Sequence, residues 1–243
     1  MNRYFIKLAY NGSEFHGWQI QENAHSVQAE IADKLSLLLK EELNIVGCGR
    51  TDTGVHANEF FAHFETSNTL ENSKELIYKL NSFLSDGIVI YDIYLVDNDM
   101  HARFGARKRT YKYYISQIKN PFNNHLSYYF NFPLNMEEMN RAAAMLFEYD
   151  DFTSFSKLHT QTATNNCKIE NAAWMEQDGM LVFTITADRF LRNMVRAIVG
   201  TLIEIGRGKL KAEEIKTIIE LKDRSKAGYS VPAQGLFLHK VEY

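Results

Sequence analysis

The stretch AAWMEQDGMLVFTIT, residues 172–186, decides the class of fold that this sequence predicts. Residues 172–176 and 181–186 have the composition of two short strands. Asp178-Gly179 between them is the commonest kind of sequence in a tight hairpin turn. Strands that a two-residue turn joins run antiparallel. The stretch therefore predicts an antiparallel hairpin.

The segments on both sides of this hairpin mix strands and helices without a strict strand–helix–strand rhythm. The patterns predict strands over 3–10, 45–49, 59–65, 89–96, 110–118 and 236–243, and helices over 27–42 (capped by Ser26), 73–84, 136–149, 190–205 and 212–221. Such a mixture is typical of an α+β fold. We therefore expect a largely antiparallel, mixed sheet flanked by helices.

The chain length of 243 residues suits one large domain or two small ones. No Pro- or Ser-rich linker divides the sequence, and no short repeat is present. We predict two subdomains, 1–104 and 105–243, that meet near Phe104 and share one continuous sheet.

The composition excludes several classes of protein. Apolar residues make up 45% and charged residues 23% of the chain, which argues against disorder and fibrous repeats. The two cysteines, Cys48 and Cys167, lie far apart in sequence and predict neither a disulfide framework nor a structural zinc site. The sequence contains neither a secretion signal nor a stretch long enough to span a membrane. We expect a reduced, cytoplasmic protein with no membrane partner.

Charge is distributed unevenly along the chain. The net charge of −3 argues against a nucleic-acid partner, yet 100–112 holds five basic residues and no acid, and 189–211 holds six against one acid. These segments could form one positive face. On charge alone, two solvated faces of ordinary elements explain them equally well.

The segment GCGRTDTGVHA, residues 47–57, differs from its surroundings. Three glycines allow positive φ and close backbone approach, and the loop could hold the carboxylate of Asp52 in one orientation. From the local sequence, a turn capped by Asp52 and paired with Arg50 fits as well. The segment lacks the Gly-Lys-Ser/Thr ending of a phosphate-binding loop, and Asp52 and His56 do not form a metal site.

This segment resembles the catalytic loop of the tRNA pseudouridine synthase A family, whose usual form is Gly-Arg-Thr-Asp-Ala-Gly-Val-His-Ala. Further motifs resemble that family in the same order along the chain: Tyr10-Asn11-Gly12 with Phe15-His16-Gly17-Trp18-Gln19, His101-Ala102-Arg103-Phe104 with Arg109-Thr110-Tyr111-Lys112-Tyr113, Asp151-Phe152-Thr153-Ser154-Phe155, Phe190-Leu191-Arg192-Asn193-Met194-Val195-Arg196, and Pro232-Ala233-Gln234-Gly235-Leu236. The resemblance covers the whole chain. It implies a pseudouridine-synthase-like fold of two similar subdomains with the active-site cleft between them.

The resemblance also implies the chemistry. The family isomerises uridine to pseudouridine at positions 38, 39 and 40 in the anticodon stem-loop of tRNAs, without a cofactor or a metal. Asp52 matches the nucleophile and Arg196 its cationic partner, which would offset the cost of burying a carboxylate. Tyr111 matches the tyrosine that stacks on the target base, and Leu236 matches an apolar wall of the pocket. On sequence alone, Tyr111 and Leu236 would look the same as core residues, and Arg196 the same as an arginine at the edge of an apolar helix.

The basic segments acquire a role through the same resemblance. Arg50 and Arg103 match positions that contact the tRNA backbone, and Lys108 and Arg109 extend that surface. The loop His159 to Ala163 aligns with another tRNA-contacting stretch, but Ala163 replaces a basic residue there. Family members are homodimers, so a dimer is expected.

Two other functions stay open at this point. One is a tRNA-binding protein without turnover, and the other is an unrelated hydrolase that uses Asp52 and His56. The residues also leave open whether Asp52 attacks the sugar or the base.

Overall fold

The computed structural model describes residues 1–157 and 164–243, which divide into two compact units. Unit 1 comprises Met1–Arg107 together with Leu238–Tyr243, and unit 2 comprises Lys108–Phe237. The α+β class with a mostly antiparallel arrangement of strands and flanking helices is confirmed.

The described chain contains these elements. The strands are β1 (Asn2–Tyr10), β2 (Val46–Gly47), β3 (His56–Thr66), β4 (Ile88–Val96), β5 (Lys108–Ser116), β6 (Tyr128–Tyr129), β7 (Ile169–Gln177), β8 (Met180–Ala187) and β9 (Leu236–Glu242). The α-helices are α1 (Val27–Leu39), α2 (Ser73–Phe83), α3 (Met136–Met145), α4 (Met194–Gly206) and α5 (Glu214–Glu220).

The strands of unit 1 follow the order β4-β1-β3-β9, with β2 added to β3. β1 pairs antiparallel with β4 and with β3, and β2 pairs antiparallel with β3. The helix α1 begins where sequence predicts it, because the side chain of Ser26 accepts a hydrogen bond from the backbone N–H of Ala29 at 3.3 Å. It ends earlier than residue 42, because Lys40 adopts a left-handed conformation with φ +55°. The apolar side of α1 is fully buried, with 0% exposure at Val27, Ile31 and Leu35.

Unit 2 holds the predicted hairpin. β7 and β8 pair antiparallel, and β8 pairs in turn with β5. Asp178 and Gly179 both have positive φ, at +50° and +73°, as a tight two-residue hairpin turn requires. The helix α3 packs on β7 and on α4.

One predicted helix was wrong at its start. The sequence predicts a helix from Phe190, but α4 begins at Met194. Asn193 has a left-handed conformation with φ +68°, which a right-handed helix cannot include, and the carbonyl of Arg192 accepts from the backbone N–H of Lys157 at 3.0 Å. As a result, Phe190 lies outside the helix and packs against Tyr111.

Within residues 1–157 and 164–243, no helix has both the length and the apolar character needed to cross a membrane.

Candidate active site

Asp52 lies in the loop between β2 and β3, in unit 1. Its side chain is partly buried, and its carbonyl accepts from the backbone N–H of Val55 at 3.1 Å. Gly54 in this turn has φ +77°, a conformation that favours glycine. The loop thus turns directly after Asp52, and the positive φ that the sequence predicts for its glycines is present at Gly54.

A second segment, residues 10–18, braces this loop, and we call it the brace. The backbone N–H of Trp18 donates to the carbonyl of Thr51 at 3.3 Å, and that of Gly54 donates to the carbonyl of Phe15 at 3.3 Å. The hydroxyl of Tyr10 lies 2.9 Å from Oγ1 of Thr51. Asp52 is therefore flanked on both sides by residues hydrogen-bonded to the brace.

Two glycines allow the brace to come this close. A Cβ atom at Gly12 would lie 2.1 Å from the carbonyl oxygen of Val55, and one at Gly17 would lie 2.3 Å from that of Thr51. Gly17 also has φ +85°. Sequence reasoning missed this positioning role, although both glycines stand in a motif that it quoted.

His56 also holds the loop against the brace. Its ring is 1% exposed, and Nδ1 accepts from the backbone N–H of Gly12 at 3.0 Å. A buried imidazole whose Nδ1 lone pair is used in this way is poorly placed to move a substrate proton. This contact argues against a hydrolase that pairs Asp52 with His56.

Three neighbouring tyrosines on β5 have different surroundings in unit 2. Tyr113 is fully buried, its hydroxyl donates to the carbonyl of Pro232 at 2.8 Å, and burial raises its pKa. Tyr114 packs edge-on against Phe237 with ring centroids 5.2 Å apart, and burial raises its pKa as well. Tyr111 is partly buried and meets Phe190 edge-on at 5.1 Å. Among these tyrosines, Tyr113 is committed to the core and Tyr111 lies at its margin.

Arg196 lies in the first turn of α4 and is held at its side chain. Its Nε donates to the carbonyl of Val231 at 2.7 Å, and the backbone N–H of Val231 donates back to the carbonyl of Arg196 at 3.3 Å. Arg192, one turn earlier in sequence, is exposed. The bond from Nε thus holds the Arg196 guanidinium, and the backbone bond holds Val231 against the first turn of α4.

Leu236 is the first residue of β9 and is 5% exposed. It follows a short turn in which Gly235 lies against the ring of Tyr113. This burial fits both a pocket wall and a core leucine.

The predicted tRNA-contacting residues differ in their surroundings. Arg50 and Arg103 are exposed in unit 1. In unit 2, Nζ of Lys108 lies 2.5 Å from Oε2 of Glu170, and Nη1 of Arg109 donates to the carbonyl of Asp188 at 2.9 Å. The stretch His159 to Ala163 lies outside the described residues.

The second basic segment is partly neutralised within unit 2. Arg207 and Lys209 both contact the carboxylate of Glu204, at 3.3 and 2.9 Å. In the described part of the chain, His, Cys, Asp and Glu side chains do not gather into a group of three or more that could hold a metal ion.

Comparisons with known proteins match this chain over its whole length. A family model described as tRNA pseudouridine synthase matches residues 142–243. The tRNA pseudouridine synthase A of Parabacteroides distasonis is 52% identical over 243 residues, which cover 100% of this chain and 96% of that protein. Those of Bacteroides fragilis and Porphyromonas gingivalis are each 51% identical, over 100% of this chain and 97% and 98% of theirs.

Proposed function

The chain belongs to the tRNA pseudouridine synthase A family, as its motifs predict, and from this premise we propose that it isomerises uridine to pseudouridine at positions 38, 39 and 40 in the anticodon stem-loop of tRNAs. The reaction breaks the bond between N1 of uracil and C1′ of the ribose and forms a bond between C5 and C1′. C5 loses a proton and N1 gains one, so the reaction balances without an oxidant, a metal or a cofactor. The observation that carries the proposal is the braced loop that holds Asp52.

Asp52 acts as the nucleophile. A carboxylate that adds covalently to the sugar or to the base, and then leaves, divides one difficult rearrangement into easier steps. Such a group has to be held in a single geometry, because a displacement of about 1 Å can cost about 100-fold in rate. The bonds from the brace to Thr51 and Gly54 on either side of Asp52 supply this constraint.

Arg196 is the cationic partner of the nucleophile, Tyr111 stacks on the target base and takes part in removal of the C5 proton, and Leu236 forms an apolar wall. A guanidinium fixed at Nε, as in Arg196, keeps its direction without losing further side-chain entropy during the reaction. The ring of Tyr111 is partly buried and is in edge-on contact with Phe190, so it suits stacking on a base better than the fully buried ring of Tyr113.

The tRNA is held by contacts of Arg50, Arg103, Lys108 and Arg109 with its phosphates, which position the RNA without reading its sequence. Lys108 would have to exchange Glu170 for a phosphate. We further propose that the enzyme is a cytoplasmic homodimer.

The test is pseudouridine mapping on unmodified tRNA transcripts, by carbodiimide-dependent stops in primer extension. The wild type should produce stops at positions 38 to 40, and Asp52→Asn should produce none while binding tRNA with unchanged affinity. Asp33→Asn, at an exposed aspartate on α1, is the matched control and should retain full activity. A wild-type protein that binds tRNA without producing stops would contradict the proposal and favour a tRNA-binding protein without turnover.

A further inference from the structure

The segment 101–104 of unit 1 displays an aromatic ring on the surface. Phe104 is 78% exposed, whereas Ala102, two residues earlier in the same segment, is 0% exposed. Isolated exposed apolar residues are ordinary in proteins and need no explanation. The surroundings of Phe104 set it apart from such residues.

The segment is fastened at its backbone. Nδ1 of His63 accepts from the N–H of Ala102 at 3.1 Å, and the hydroxyl of Tyr243 donates to the carbonyl of Ala102 at 2.7 Å. Directly before the segment, the carbonyl of Met100 accepts from Nη1 of Arg3 at 2.8 Å. Three distant parts of unit 1 therefore hold the backbone that carries Phe104.

His101 fixes the local turn and lies against the exposed ring. Its Nδ1 accepts from the backbone N–H groups of Arg103 and Phe104, at 3.0 and 3.2 Å. Its ring centroid lies 4.4 Å from that of Phe104 at an interplanar angle of 36°. The ring of His63 meets that of His101 edge-on, with centroids 4.7 Å apart and an interplanar angle of 66°. Phe104 is thus the exposed member of a cluster of three rings, and the two histidines of this cluster accept hydrogen bonds from the backbone.

A cation lies beside this ring cluster. The guanidinium of Arg103 lies 5.8 Å from the centroid of the Phe104 ring, and Arg103 is itself exposed. The chain from 100 to 112 contains no acidic residue. An exposed aromatic face next to a guanidinium suits a nucleobase and its phosphate, because bases stack on aromatic rings and phosphates attract arginine.

We propose that Phe104 is a stacking platform for an unpaired base of the tRNA, with Arg103 on the adjoining phosphate. This inference rests on the proposed function and adds a base contact to it. Because the segment is held before the RNA arrives, stacking does not have to order the protein first. A stacked base is recognised by its π-face, so the platform accepts any base and contributes affinity rather than sequence preference.

The test compares Phe104→Ala, Phe104→Tyr and Phe122→Ala in tRNA binding and turnover. Phe122 is 89% exposed in unit 2 and is the matched control. Phe104→Ala should raise the dissociation constant for tRNA by about 5- to 150-fold, with kcat and the salt dependence unchanged. Phe104→Tyr and Phe122→Ala should bind as the wild type does. Arg103→Ala should instead reduce the slope of affinity against salt by about one.

The platform is wrong if Phe104→Ala binds tRNA as tightly as Phe122→Ala does, or if wild type binds no tRNA. It is also wrong if the weakened binding accompanies a change of oligomeric state in size-exclusion chromatography, since Phe104 would then contact a second copy. Circular dichroism of each variant checks that it is folded. If Phe104→Ala does not fold, Phe104→Leu, which keeps an apolar side chain without an aromatic face, takes its place and should also weaken tRNA binding. The binding assay does not require turnover, so a protein without synthase activity can still confirm the platform, and an active enzyme can still contradict it.

Discussion

The loop of Asp52 in unit 1 and the helix of Arg196 in unit 2 are both held by a close backbone contact at a glycine, but the elements in contact differ. In both, a second stretch of backbone comes so close that only glycine fits. Gly17 lies against the carbonyl of Thr51, and Gly200 in α4 would place a Cβ atom 1.8 Å from the carbonyl oxygen of Tyr229. In unit 1 the contact joins two loops, whereas in unit 2 it joins a loop to a buried helix.

The difference predicts whether a substitution at each contact lowers activity or stability. The Asp52 loop has no helical hydrogen bonds of its own, so its shape depends on the brace, and a change there displaces the nucleophile. Helix α4 is buried over nearly its whole length and packs on α3. A change there disturbs the core. We therefore expect contacts of the first kind to govern activity and contacts of the second kind to govern stability.

The largest effect should come from Gly200→Ala. The added methyl group would overlap a backbone carbonyl that cannot move without shifting the 227–231 segment, so the free energy of unfolding should fall by about 3 kcal/mol. Urea denaturation followed by circular dichroism measures this change. Gly49→Ala, with no atom within 4 Å of the added group, should leave stability unchanged. An unchanged midpoint in Gly200→Ala would contradict the tight packing described here.

Gly17→Ala should have the opposite profile. The methyl group would press on Thr51 next to the nucleophile, at a φ of +85° that alanine avoids, so kcat on tRNA should fall by about 100-fold. The midpoint of urea unfolding should move less than in Gly200→Ala. Single-turnover kinetics with saturating enzyme isolates the chemical step. The distinction between the two regions would fail if Gly17→Ala lost stability and activity in the same proportion as Gly200→Ala.

Lowering the pH should reduce the free energy of unfolding of unit 1 through His63. Burial lowers the pKa of His63 to about 4, so its folded form binds a proton less readily than its unfolded form, with a pKa of about 6.5. Its contribution to stability is therefore complete above pH 6.5 and is lost as pH falls towards 4, by about 2 kcal/mol at pH 5. Burial lowers the pKa of His101 too, which adds to the loss in the same window.

Each unit holds one buried tryptophan, Trp18 in unit 1 and Trp174 in unit 2, which can report the loss separately. In Trp174→Phe, urea unfolding followed by the fluorescence of Trp18 should show that the free energy of unfolding falls as the pH is lowered from 6.5 to 4. His63→Gln in that background should reduce this fall, and His125→Ala, at an exposed histidine, should not. A reduction in both variants would exclude His63 as its source.

The smallest effect should come from Thr51→Val. This change removes one hydroxyl that lies 2.9 Å from that of Tyr10, and a hydrogen bond of this kind contributes about 1 kcal/mol. We expect kcat to fall by less than about tenfold, with unchanged tRNA affinity. A loss as large as that in Gly17→Ala would show that the hydroxyl pair, rather than the backbone contact, holds the loop.

Sequence predicted the parts of the fold that depend on local chemistry. Asp178-Gly179 forms its hairpin turn, and Ser26 caps its helix, because both signals lie within a few residues of their effect. The start of α4 was mispredicted because its apolar pattern continues back to Phe190. The contact of Lys157 with the carbonyl of Arg192 joins residues distant in sequence, and no local pattern reveals it.

The candidate site divides in the same way. The motif around Asp52 could be identified from the residues, because its glycines and charges are adjacent in sequence. The role of the brace could not, since Gly12 and Gly17 act on a loop some forty residues away. Tyr111 and Tyr113 occupy one face of β5, and what distinguishes them is tertiary: Tyr113 is fully buried and donates to the carbonyl of Pro232, whereas Tyr111 is only partly buried.

Unit 1 is made of two chain segments that are distant in sequence, and this affects how it forms during synthesis on the ribosome. Translation must complete the whole of Lys108–Phe237 before Leu238–Tyr243 exists. Until then β3 lacks its neighbour β9 and presents an edge that β2 pairs with only at Ala62 and His63, for on the order of ten seconds at ordinary translation rates. Nascent chains of this protein should therefore need protection from strand-to-strand association until β9 has been made.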